Sequence, residues 1–276
     1  MCLNIGLPSM DSQQTKSLVR EHWDAVPCGT QDTVQTRYSL EYFEEIERVR
    51  YDLEPFIFSF AQFTRHHGER LLEVGTGAGT DFLQWVRAGA RATGLDLTPN
   101  GIEHVQRRLD LYGLTAEELI VGDSEALPFE DCRFDVVYSW GVIHHTPRTD
   151  RALAEIVRVL KPGGIGKVMV YHRHSLAALY VWIKWALLRG RPWRTVRWCF
   201  SNHVESPGTK AFTRAEVLEM LRCLPVEAVE LQPFITFQDK LGRYPLLRWL
   251  GRSLVGIFGS RAGFFLGIRF RKSSKI

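Results

Sequence analysis

Short apolar runs alternate with amphipathic segments between residues 70 and 172. Brief apolar runs bounded by turn-forming residues are typical of buried strands, and apolar residues at 3.6-residue spacing are typical of helices. We therefore expect strands over 71–74, 92–97, 119–121, 134–138 and 166–171, with helices over 80–88, 98–113 and 149–160 between them. This alternation predicts an α/β fold with a doubly wound, mostly parallel sheet and helices on both of its faces.

Local signals mark the ends of these helices. Thr98 is a typical N-cap, and Pro99 suits the first helical position. Gly89 and Gly113 are expected to stop the helices that precede them. The run 161–164, Lys-Pro-Gly-Gly, cannot continue a helix and is expected to end the third one.

The chain before this alternating region is predicted to be helical. Residues 12–66 carry helical patterns, with Ser39 as a predicted N-cap and Pro55 as a break that can open another helix. We predict that residues 1–66 form an N-terminal cap. Within it, the stretch 22–30 combines a bulky aromatic residue with a rigid turn, and it is expected either to cover a ligand or simply to end a helix.

The main domain is predicted over residues 67–276. After residue 171 the regular alternation lapses, and we interpret 175–210 as an insertion rich in Trp, Tyr, Lys and Arg. Thr213 and Glu216 then have the spacing of a capping box at the start of another helix. The closing strands are expected over 226–231 and 264–270.

Bulk composition limits the classes of protein to which the chain can belong. At 276 residues and 45% hydrophobic content, it can fill one large α/β core but not two full enzymatic domains. The formal charge is only +4, yet residues 241–276 contain eight Lys or Arg and no Asp or Glu, which favours anionic surroundings.

Cysteine usage and hydropathy indicate a reducing, cytoplasmic setting. Five scattered cysteines show neither a disulfide framework nor metal-ligand spacing, so we expect no bound metal. We expect no secretion signal, because a basic segment followed by an apolar one is missing near residue 1. The apolar stretch 176–188 would span only about 20 Å as a helix, so no transmembrane helix is predicted.

A glycine-rich turn follows the first predicted strand. Residues 73–81 read Glu-Val-Gly-Thr-Gly-Ala-Gly-Thr-Asp, and Asp96 ends the next strand. Such a turn brings backbone N–H groups to an anionic ligand group, and an acid about 20 residues later can accept hydrogen bonds from ribose hydroxyls. The spacing predicts a nucleotide site.

Four further motifs follow the same order along the chain. They are Asp96, the run 122–129 (Gly-Asp-Ser-Glu-Ala-Leu-Pro-Phe), the run 134–137 (Phe-Asp-Val-Val) and the run 160–164 (Leu-Lys-Pro-Gly-Gly). Together with the glycine turn, the set resembles the class I S-adenosylmethionine-dependent methyltransferases. It is most similar to the ubiquinone/menaquinone-type small-molecule branch called methyltransferase type 11, and the resemblance covers about residues 70–172.

This resemblance implies a seven-stranded sheet of order 3-2-1-4-5-7-6 whose last strand is antiparallel. It implies S-adenosylmethionine as cofactor, with Gly75 and Gly77 against its methionyl part, Asp96 at the ribose, and Asp123 with Ser124 at the adenine. Glu73 stands where many relatives carry aspartate, which leaves the charge in place. The full set of implied cofactor contacts is Glu73, Gly75, Thr76, Gly77, Gly79, Asp81, Asp96, Leu97, Asp123, Ser124 and Trp140.

The residues themselves disfavour a dinucleotide. A dinucleotide fingerprint would place its third glycine at position 80, where this chain has Thr80. Glu73 and Asp81 would repel a pyrophosphate but suit a cationic sulfonium. A NAD-dependent oxidoreductase is therefore a less favoured alternative.

The candidate catalytic residues follow the fourth and fifth strands. His144 and His145 come directly after the fourth strand, where ligands gather in open α/β sheets, and a histidine there can accept a proton near neutral pH. We prefer His145 as the base because members of the family often carry a histidine pair here. Tyr171 is expected to line the acceptor side. A purely structural role for each of these residues stays open.

The aromatic and basic insertion 175–210 allows several interpretations. It is interpreted as the wall of an acceptor pocket, as a membrane-surface element, or as both. Nucleic-acid binding is less favoured, because no Asn-Pro-Pro-Tyr-type motif follows the fourth strand, and ordinary core or oligomer packing remains open.

The resulting hypothesis is a methyltransferase acting at oxygen or carbon of a small, largely apolar acceptor. Catalysis would depend mainly on positioning the two reactants. The protein would be cytoplasmic, with contact to the inner face of a membrane as an extension of the hypothesis. A non-catalytic cofactor-binding or membrane-associated protein is the alternative, and the sequence does not indicate an oligomeric state.

Overall fold

The computed structural model describes residues 12–241 and 248–274. The strands in this part are β1 (Arg70–Val74), β2 (Arg91–Asp96), β3 (Glu118–Val121), β4 (Phe134–Trp140), β5 (Leu160–His172), β6 (Ala211–Phe212), β7 (Val226–Phe234) and β8 (Phe265–Lys272). The α-helices there are α1 (Ser12–Ala25), α2 (Leu40–Leu53), α3 (Phe56–Ala61), α4 (Thr80–Arg87), α5 (Pro99–Leu111), α6 (Thr149–Val159), α7 (Leu176–Trp185), α8 (Val196–His203), α9 (Arg214–Arg222) and α10 (Arg248–Phe258). Short 3₁₀ turns occupy Thr30–Asp32, Phe63–His66, Leu187–Arg189 and Gly259–Ala262.

The strands form one mixed sheet of order β3-β2-β1-β4-β5-β8-β7. Strands β1 to β5 run parallel, and β8 is antiparallel to both of its neighbours, β5 and β7. When the seven long strands are counted in chain order, the arrangement is 3-2-1-4-5-7-6, so the predicted topology is confirmed. The two-residue β6, which pairs with the end of β5, was not predicted.

Apolar side chains cover both faces of the sheet. One core contains residues of α3, α4, α5, α7 and α8, and the other contains residues of α6 and α9. The doubly wound arrangement expected from the alternating pattern is therefore confirmed. Its parallel strands open their carboxyl ends toward the same edge, where α1 and α2 also lie.

Strand β5 begins earlier than the sequence predicts. Helix α6 ends at Val159, and Leu160 already pairs with Phe134 of β4. The register then shifts, so that Ile165 pairs with Val136 and the intervening Lys-Pro-Gly-Gly run is accommodated as an irregularity within the strand. Proline and glycine stop the helix as expected, and pairing with β4 resumes at Ile165.

The N-terminal helices differ in how deeply they pack. Ser39 caps α2 as predicted, with its Oγ accepting the Tyr42 backbone N–H at 3.1 Å. In α3, Ile57 and Ala61 are fully buried in the main core. Helix α1, in contrast, buries only Val19. The last part of the predicted cap is thus built into the domain, whereas α1 lies on its surface.

The region after β5 is helical. Helix α7 follows the cap residue Ser175, and the predicted capping box at α9 is present, with mutual hydrogen bonds between Thr213 and Glu216. Helix α7 ends at Trp185. Within residues 12–241 and 248–274, no helix has the length and apolar character needed to cross a membrane.

Candidate cofactor and acceptor site

A cavity of 310 Å³ lies at the carboxyl ends of β1, β2, β4 and β5. Side chains from α1 and α2 close its other side. Ten of the implied cofactor contacts line it: Glu73, Gly75, Thr76, Gly77, Asp81, Asp96, Leu97, Asp123, Ser124 and Trp140. The candidates His145 and Tyr171 also line it, whereas Gly79 and His144 do not.

The glycine turn after β1 has positive φ angles at Gly75 and Gly77 and leaves no space for a side chain at Gly75. Gly75 has a φ of +81°, and a Cβ built there would lie 2.2–2.9 Å from side-chain atoms of Val142. Gly77 has a φ of +50°, and its backbone N–H donates to Asp96 Oδ2 at 2.9 Å. Backbone and an acidic side chain therefore form this wall of the cavity, as a nucleotide site requires.

Gly79 needs a correction as a predicted cofactor contact. It adopts a φ of +73° directly before α4, and a Cβ there would lie 3.1 Å from Val105 Cγ2 on α5. The absence of a side chain at Gly79 allows α4 and α5 to pack closely. Its role in the structure is packing behind the turn rather than contact with the cavity.

Asp96 is held firmly at the end of β2. Besides Gly77, it accepts the backbone N–H of Thr98 at 2.9 Å and the Thr98 hydroxyl at 2.8 Å. Thr98 Oγ1 also accepts the Gly101 N–H and so caps α5. Thr98 therefore both caps α5 and donates to Asp96. Burial nevertheless raises the pKa of Asp96, although these hydrogen bonds oppose the shift.

Asp81 is the centre of a hydrogen-bond network on the cavity floor. Arg50 donates two hydrogen bonds to its carboxylate, at 3.0 and 2.7 Å. The hydroxyls of Tyr51 and Tyr138 add bonds at 3.1 and 2.8 Å. Such a network fixes α2 against β4 and α4, and it keeps a buried charge paired.

Two further carboxylates make this floor acidic. Glu54 accepts a hydrogen bond from Trp140 Nε1 at 3.0 Å, and Glu73 is 3% exposed. Burial, reinforced by the charge of Asp81, raises the pKa of Glu73 well above its usual range. Burial therefore favours the neutral form of Glu73 unless a cation lies beside it.

The floor fits the cation that the family cofactor carries. Three carboxyl groups, those of Glu54, Glu73 and Asp81, line the cavity with the guanidinium of Arg50, so acidic groups outnumber cations on the floor. Among the described residues, Glu73 Oε2 has no hydrogen-bond partner. S-adenosylmethionine has an ammonium group and a sulfonium, and a buried acceptor without a donor is suited to such a group.

The part of the cavity beside Asp123, the predicted adenine contact, holds a cation that the sequence analysis did not predict. Lys16 of α1 lies 2.6 Å from Asp123 Oδ2 and 2.6 Å from Glu125 Oε2. Burial opposes the charged form of Lys16, but the two carboxylates outweigh this effect and raise its pKa. The predicted adenine contact Asp123 is therefore already tied to the N-terminal helix.

The cavity has a polar corner among apolar walls near Tyr171, the residue predicted to line the acceptor side. We call this part the acceptor end. The Tyr171 hydroxyl lies 2.7 and 2.8 Å from the two carboxylate oxygens of Glu205 and donates to this carboxylate. His145 Nε2 lies 3.3 Å from Glu205 Oε2, and His145 Nδ1 lies 2.9 Å from Ser206 Oγ. Apolar neighbours in the cavity include Trp23, Leu53, Trp140, Met169 and Phe265.

Glu205 is the exposed member of this corner. Its side chain is 39% exposed, against 5% for His145. Its partial burial raises the pKa, but His145 and the Tyr171 hydroxyl lower it more, so the pKa lies below that of an ordinary glutamate. The pKa of Tyr171 is raised well above its usual value by burial and by Glu205. Tyr171 therefore keeps its proton and donates a hydrogen bond to Glu205.

His144 is placed differently from its neighbour. It is fully buried, with its ring centroid 4.0 Å from that of Tyr171. Burial, with His145 and Lys210 nearby, holds its pKa well below the usual range. The donor atoms of His144, His145 and Glu205 lie within 4.8 Å of one another, so these three residues could hold a metal ion.

Sequence reasoning found most of the turn but missed Lys16, Arg50, Glu54 and Glu205. Arg50 and Glu54 are four residues apart in α2, and this spacing puts both side chains on one helix face. That spacing was a usable signal. Lys16 and Glu205 gave none, because their partners lie far away in sequence.

Comparison with known proteins gives matches to the central part of the chain. A family model described as a methyltransferase domain matches residues 72–166. A phthiotriol/phenolphthiotriol dimycocerosates methyltransferase of Mycobacterium leprae is 48% identical over 99 residues, covering 35% of this chain and 36% of that protein. A fatty-acid O-methyltransferase of Mycolicibacterium smegmatis is 40% identical over 123 residues, covering 44% and 43%. The chain thus spans less than half the length of these relatives.

A solved structure extends the similarity to the whole fold. A phosphoethanolamine N-methyltransferase of Haemonchus contortus, solved with S-adenosylhomocysteine, has a TM-score of 0.59 and 16% identity. The match covers 92% of this chain and 60% of that one. At this identity it shows the fold alone.

Proposed function

Because residues 72–166 form a class I S-adenosylmethionine-dependent methyltransferase domain, we propose that this chain methylates a hydroxyl oxygen on a small, largely apolar acceptor. The observation that carries the proposal is the single polar corner at the acceptor end of the cavity. Glu205 is its exposed carboxylate, and Tyr171 and His145 hold it in place. The two mycobacterial relatives, named for a lipid triol and for fatty acids, support an apolar acceptor.

The cofactor end of the cavity would hold S-adenosylmethionine through backbone and acidic groups. Gly75 and Gly77 allow close approach, Asp96 offers its remaining lone pairs to ribose hydroxyls, and Glu73 accepts from the ammonium group. When bound, this cofactor supplies an electrophilic methyl group on a cationic sulfur. The protein contributes mainly by fixing the acceptor at the distance and angle that in-line attack requires, about 3 to 3.5 Å between reacting atoms.

Glu205 would orient the acceptor hydroxyl and take its proton. A carboxylate whose pKa is lowered is ionised at neutral pH and can accept a hydrogen bond from the hydroxyl. His145 is less suited to this task than the sequence indicated. Its Nδ1 lies within hydrogen-bonding distance of the hydroxyls of Ser206 and Thr209, and its Nε2 faces Glu205. We therefore assign His145 and Tyr171 to positioning Glu205.

The same carboxylate limits the class of acceptor. A free carboxylate acceptor placed about 4 Å from Glu205 would be repelled by roughly 4 kcal/mol at an effective dielectric constant of 20. A neutral hydroxyl would instead donate to it. We therefore propose an apolar alcohol or phenol as the acceptor, in preference to a free fatty acid.

The first experiment measures cofactor binding by calorimetry with the full chain and S-adenosylhomocysteine. Asp96→Ala and Gly75→Val are expected to weaken binding strongly, because one removes the ribose acceptor and the other forces Val142 aside. Asp52→Ala is the matched control, since that carboxylate is exposed on α2 and lies outside the cavity. Equal binding by all four proteins would refute this assignment of the site.

The second experiment follows transfer of a labelled methyl group to long-chain alcohols, phenols and fatty acids. Transfer to hydroxyl compounds, with little to the acids, supports the proposal, and preference for the acids contradicts the role of Glu205. Cofactor binding without transfer to any hydroxyl acceptor would favour the non-catalytic alternative. Activity that requires a divalent cation and is abolished by a chelator would reassign His144, His145 and Glu205 to a metal centre.

A further inference from the structure

Two exposed segments carry an unusual combination of side chains. Segments 184–197 and 248–261 hold eight of the 35 Lys and Arg in the chain and none of its 31 Asp and Glu. The rest of the molecule is therefore net acidic. We name these two stretches the basic segments. Of their cations, Arg197 is paired with Glu216 of α9.

Large apolar side chains are exposed beside these cations. In segment 184–197, Leu188 is 76% and Trp193 is 75% exposed. In segment 248–261, Trp249 is 68% and Ile257 is 74% exposed. Single exposed apolar residues are ordinary, but several in two short stretches without any carboxylate mark a contact surface.

Both basic segments are attached to the acceptor end of the cavity through one turn. Gln238 in this turn lines the cavity, and the neighbouring Asp239 accepts the backbone N–H of Ala177 in the first turn of α7. On the other side of the turn, Gly251 of α10 packs so closely on Lys240 that a Cβ would lie 2.5 Å from its carbonyl. The helix that leads into segment 184–197 and the helix that carries much of segment 248–261 are therefore both anchored at a turn that borders the cavity.

The mixture of side chains favours a lipid surface as the occupant. Arginines attract anionic headgroups, and Trp at the interface with Leu, Ile and Phe below it matches the boundary between headgroups and acyl chains. Single-stranded nucleic acid would also attract arginines, but it is held by aromatic stacking. The exposed aliphatic residues Leu187, Leu188 and Ile257 cannot stack on bases.

We propose that the basic segments dock the protein on an anionic lipid bilayer, with the acceptor end of the cavity adjacent to the membrane surface. Helix α10 would lie in the plane of the interface, because its 11 residues are too few to span the bilayer. An apolar acceptor dissolved in the membrane could then reach the cavity without crossing water. The docking itself is independent of methyl transfer, so it holds or fails separately from the proposed function.

The test is co-sedimentation of the full chain, without cofactor, with vesicles of phosphatidylcholine alone or mixed with phosphatidylglycerol. We expect binding to the mixed vesicles that weakens as salt is added. The double variant Arg191→Gln/Arg252→Gln is expected to lower the partition coefficient about 25-fold, roughly fivefold for each arginine. The double variant Trp193→Ser/Ile257→Ser is expected to lower it about tenfold by removing apolar insertion.

Arg151→Gln/Arg222→Gln is the matched control. It removes the same charge from α6 and α9, outside the basic segments, and it should bind as the unmodified chain does. Absence of binding to anionic vesicles, or equal losses in both arginine pairs, would overturn the proposal. Concentration-dependent dimers that Trp193→Ser/Ile257→Ser dissociates, without vesicle binding, would instead assign the segments to contact between two copies of the chain.

Discussion

Glu205 holds an unfavourable backbone conformation. Its φ is +52°, a region that non-glycine residues avoid at a cost of about 1–2 kcal/mol. The residue is kept there by Tyr171 and His145, which contact its carboxylate from two sides. Strain of this kind is concentrated at functional sites because the surrounding structure must impose it.

Replacing Glu205 with glutamine should reduce kcat and leave cofactor affinity unchanged. The amide keeps the size of the side chain but cannot take a proton, so we expect a loss of about 100-fold, the lower end for general-base catalysis. The measurement is steady-state methyl transfer combined with calorimetry for S-adenosylhomocysteine. Glu219→Gln, on the exposed side of α9, is the control.

The pH profile distinguishes Glu205 from His145 as the proton acceptor. The pKa of Glu205 lies below its ordinary value because its hydrogen bonds and charged neighbours outweigh burial. If it is the base, kcat should stay constant on acidification until the pH falls below about 4.5. Loss of activity around pH 6.5 would point to a histidine.

The residues of the turn were predictable because their constraints are local. Gly75 and Gly77 both have positive φ angles, Gly75 also has close neighbours, and Asp96 follows at a fixed distance along the chain. Glu205 was not predictable, because its position depends on contacts with Tyr171 and His145, 34 and 60 residues away. No pattern near residue 205 indicates these partners.

At the level of elements, Lys167 of β5 connects the sheet to α3. It is fully buried, and its Nζ donates to the Ala61 carbonyl at the end of α3 and lies 2.9 Å from His66 Nε2. Burial, together with Arg269 and Arg65, lowers the pKa of Lys167 to about 7, although Glu69 opposes this effect. The folded protein therefore favours the neutral amine.

This lysine should make stability depend on pH. Below about pH 7 it is protonated in both states, and the folded state bears the full cost of burying the charge. Between pH 7 and the ordinary value of 10.5, the unfolded chain binds more protons, so the free energy of unfolding should rise with pH, by up to about 5 kcal/mol. Urea unfolding at several pH values measures the slope.

Lys167→Met should remove this contribution, while Lys184→Met, at an exposed position of α7, should retain it. An unchanged slope in Lys167→Met would show that another group is responsible. Neighbouring His66 is also buried, and its lowered pKa affects stability only below about pH 6.5.

Helix α1 is proposed to act as a lid. It buries only Val19, and it is held over the cavity by Lys16 and by Asp24, which accepts the Asn100 backbone N–H at 3.2 Å. The Trp23 ring lies 5.2 Å from that of His145 and closes the acceptor side. Cofactor entry would require this helix to move aside.

Lys16→Met should weaken cofactor binding through faster dissociation. It removes the cation that ties α1 to Asp123 and Glu125, a partly exposed pair for which we expect a loss of about 1 kcal/mol, or roughly fivefold in Kd. Stopped-flow release of S-adenosylhomocysteine is the measurement. Arg20→Met, exposed on the same helix, should release it at the original rate. Equal rates in all three proteins would argue against a lid held by Lys16.

The existence of most elements followed from periodicity, but their ends did not. Strand β5 starts at Leu160 because Leu160 pairs with Phe134, and the ladder resumes at Ile165 after the Lys-Pro-Gly-Gly run. Strand β6 exists only because Ala211 and Phe212 meet the end of β5. Both features depend on tertiary pairing, which a local pattern does not contain.

Across the whole molecule, the cavity joins distant parts of the chain. It is lined by α1 and α2, by the ends of four parallel strands, and by Gln238 and Phe265 near the C-terminal strands. A ligand that fills it should stabilise all of these parts together. The topology was predictable from five motifs in order, whereas the meeting of these regions depends on the complete fold.

Saturation with S-adenosylhomocysteine should therefore raise global stability. At 100 times its Kd, a ligand that binds only the folded state adds about 2.7 kcal/mol to the free energy of unfolding. Thermal unfolding with and without the ligand measures the shift. The Asp96→Ala variant should show a much smaller shift at the same concentration, and a shift equal to that of the unmodified chain would count against the ribose assignment.

The contact between Gly75 and Val142 connects the proposed cofactor part of the cavity to the proposed acceptor part. Val142 precedes the histidine pair by two residues, and there is no free space between it and the glycine turn. A larger residue in the turn must displace the loop that holds Val142. It would then also displace His145 and the proposed acceptor-binding group Glu205. Attempts to re-engineer the protein for an altered methyl donor should therefore change its acceptor selectivity as well, and the two traits would have to be evolved jointly.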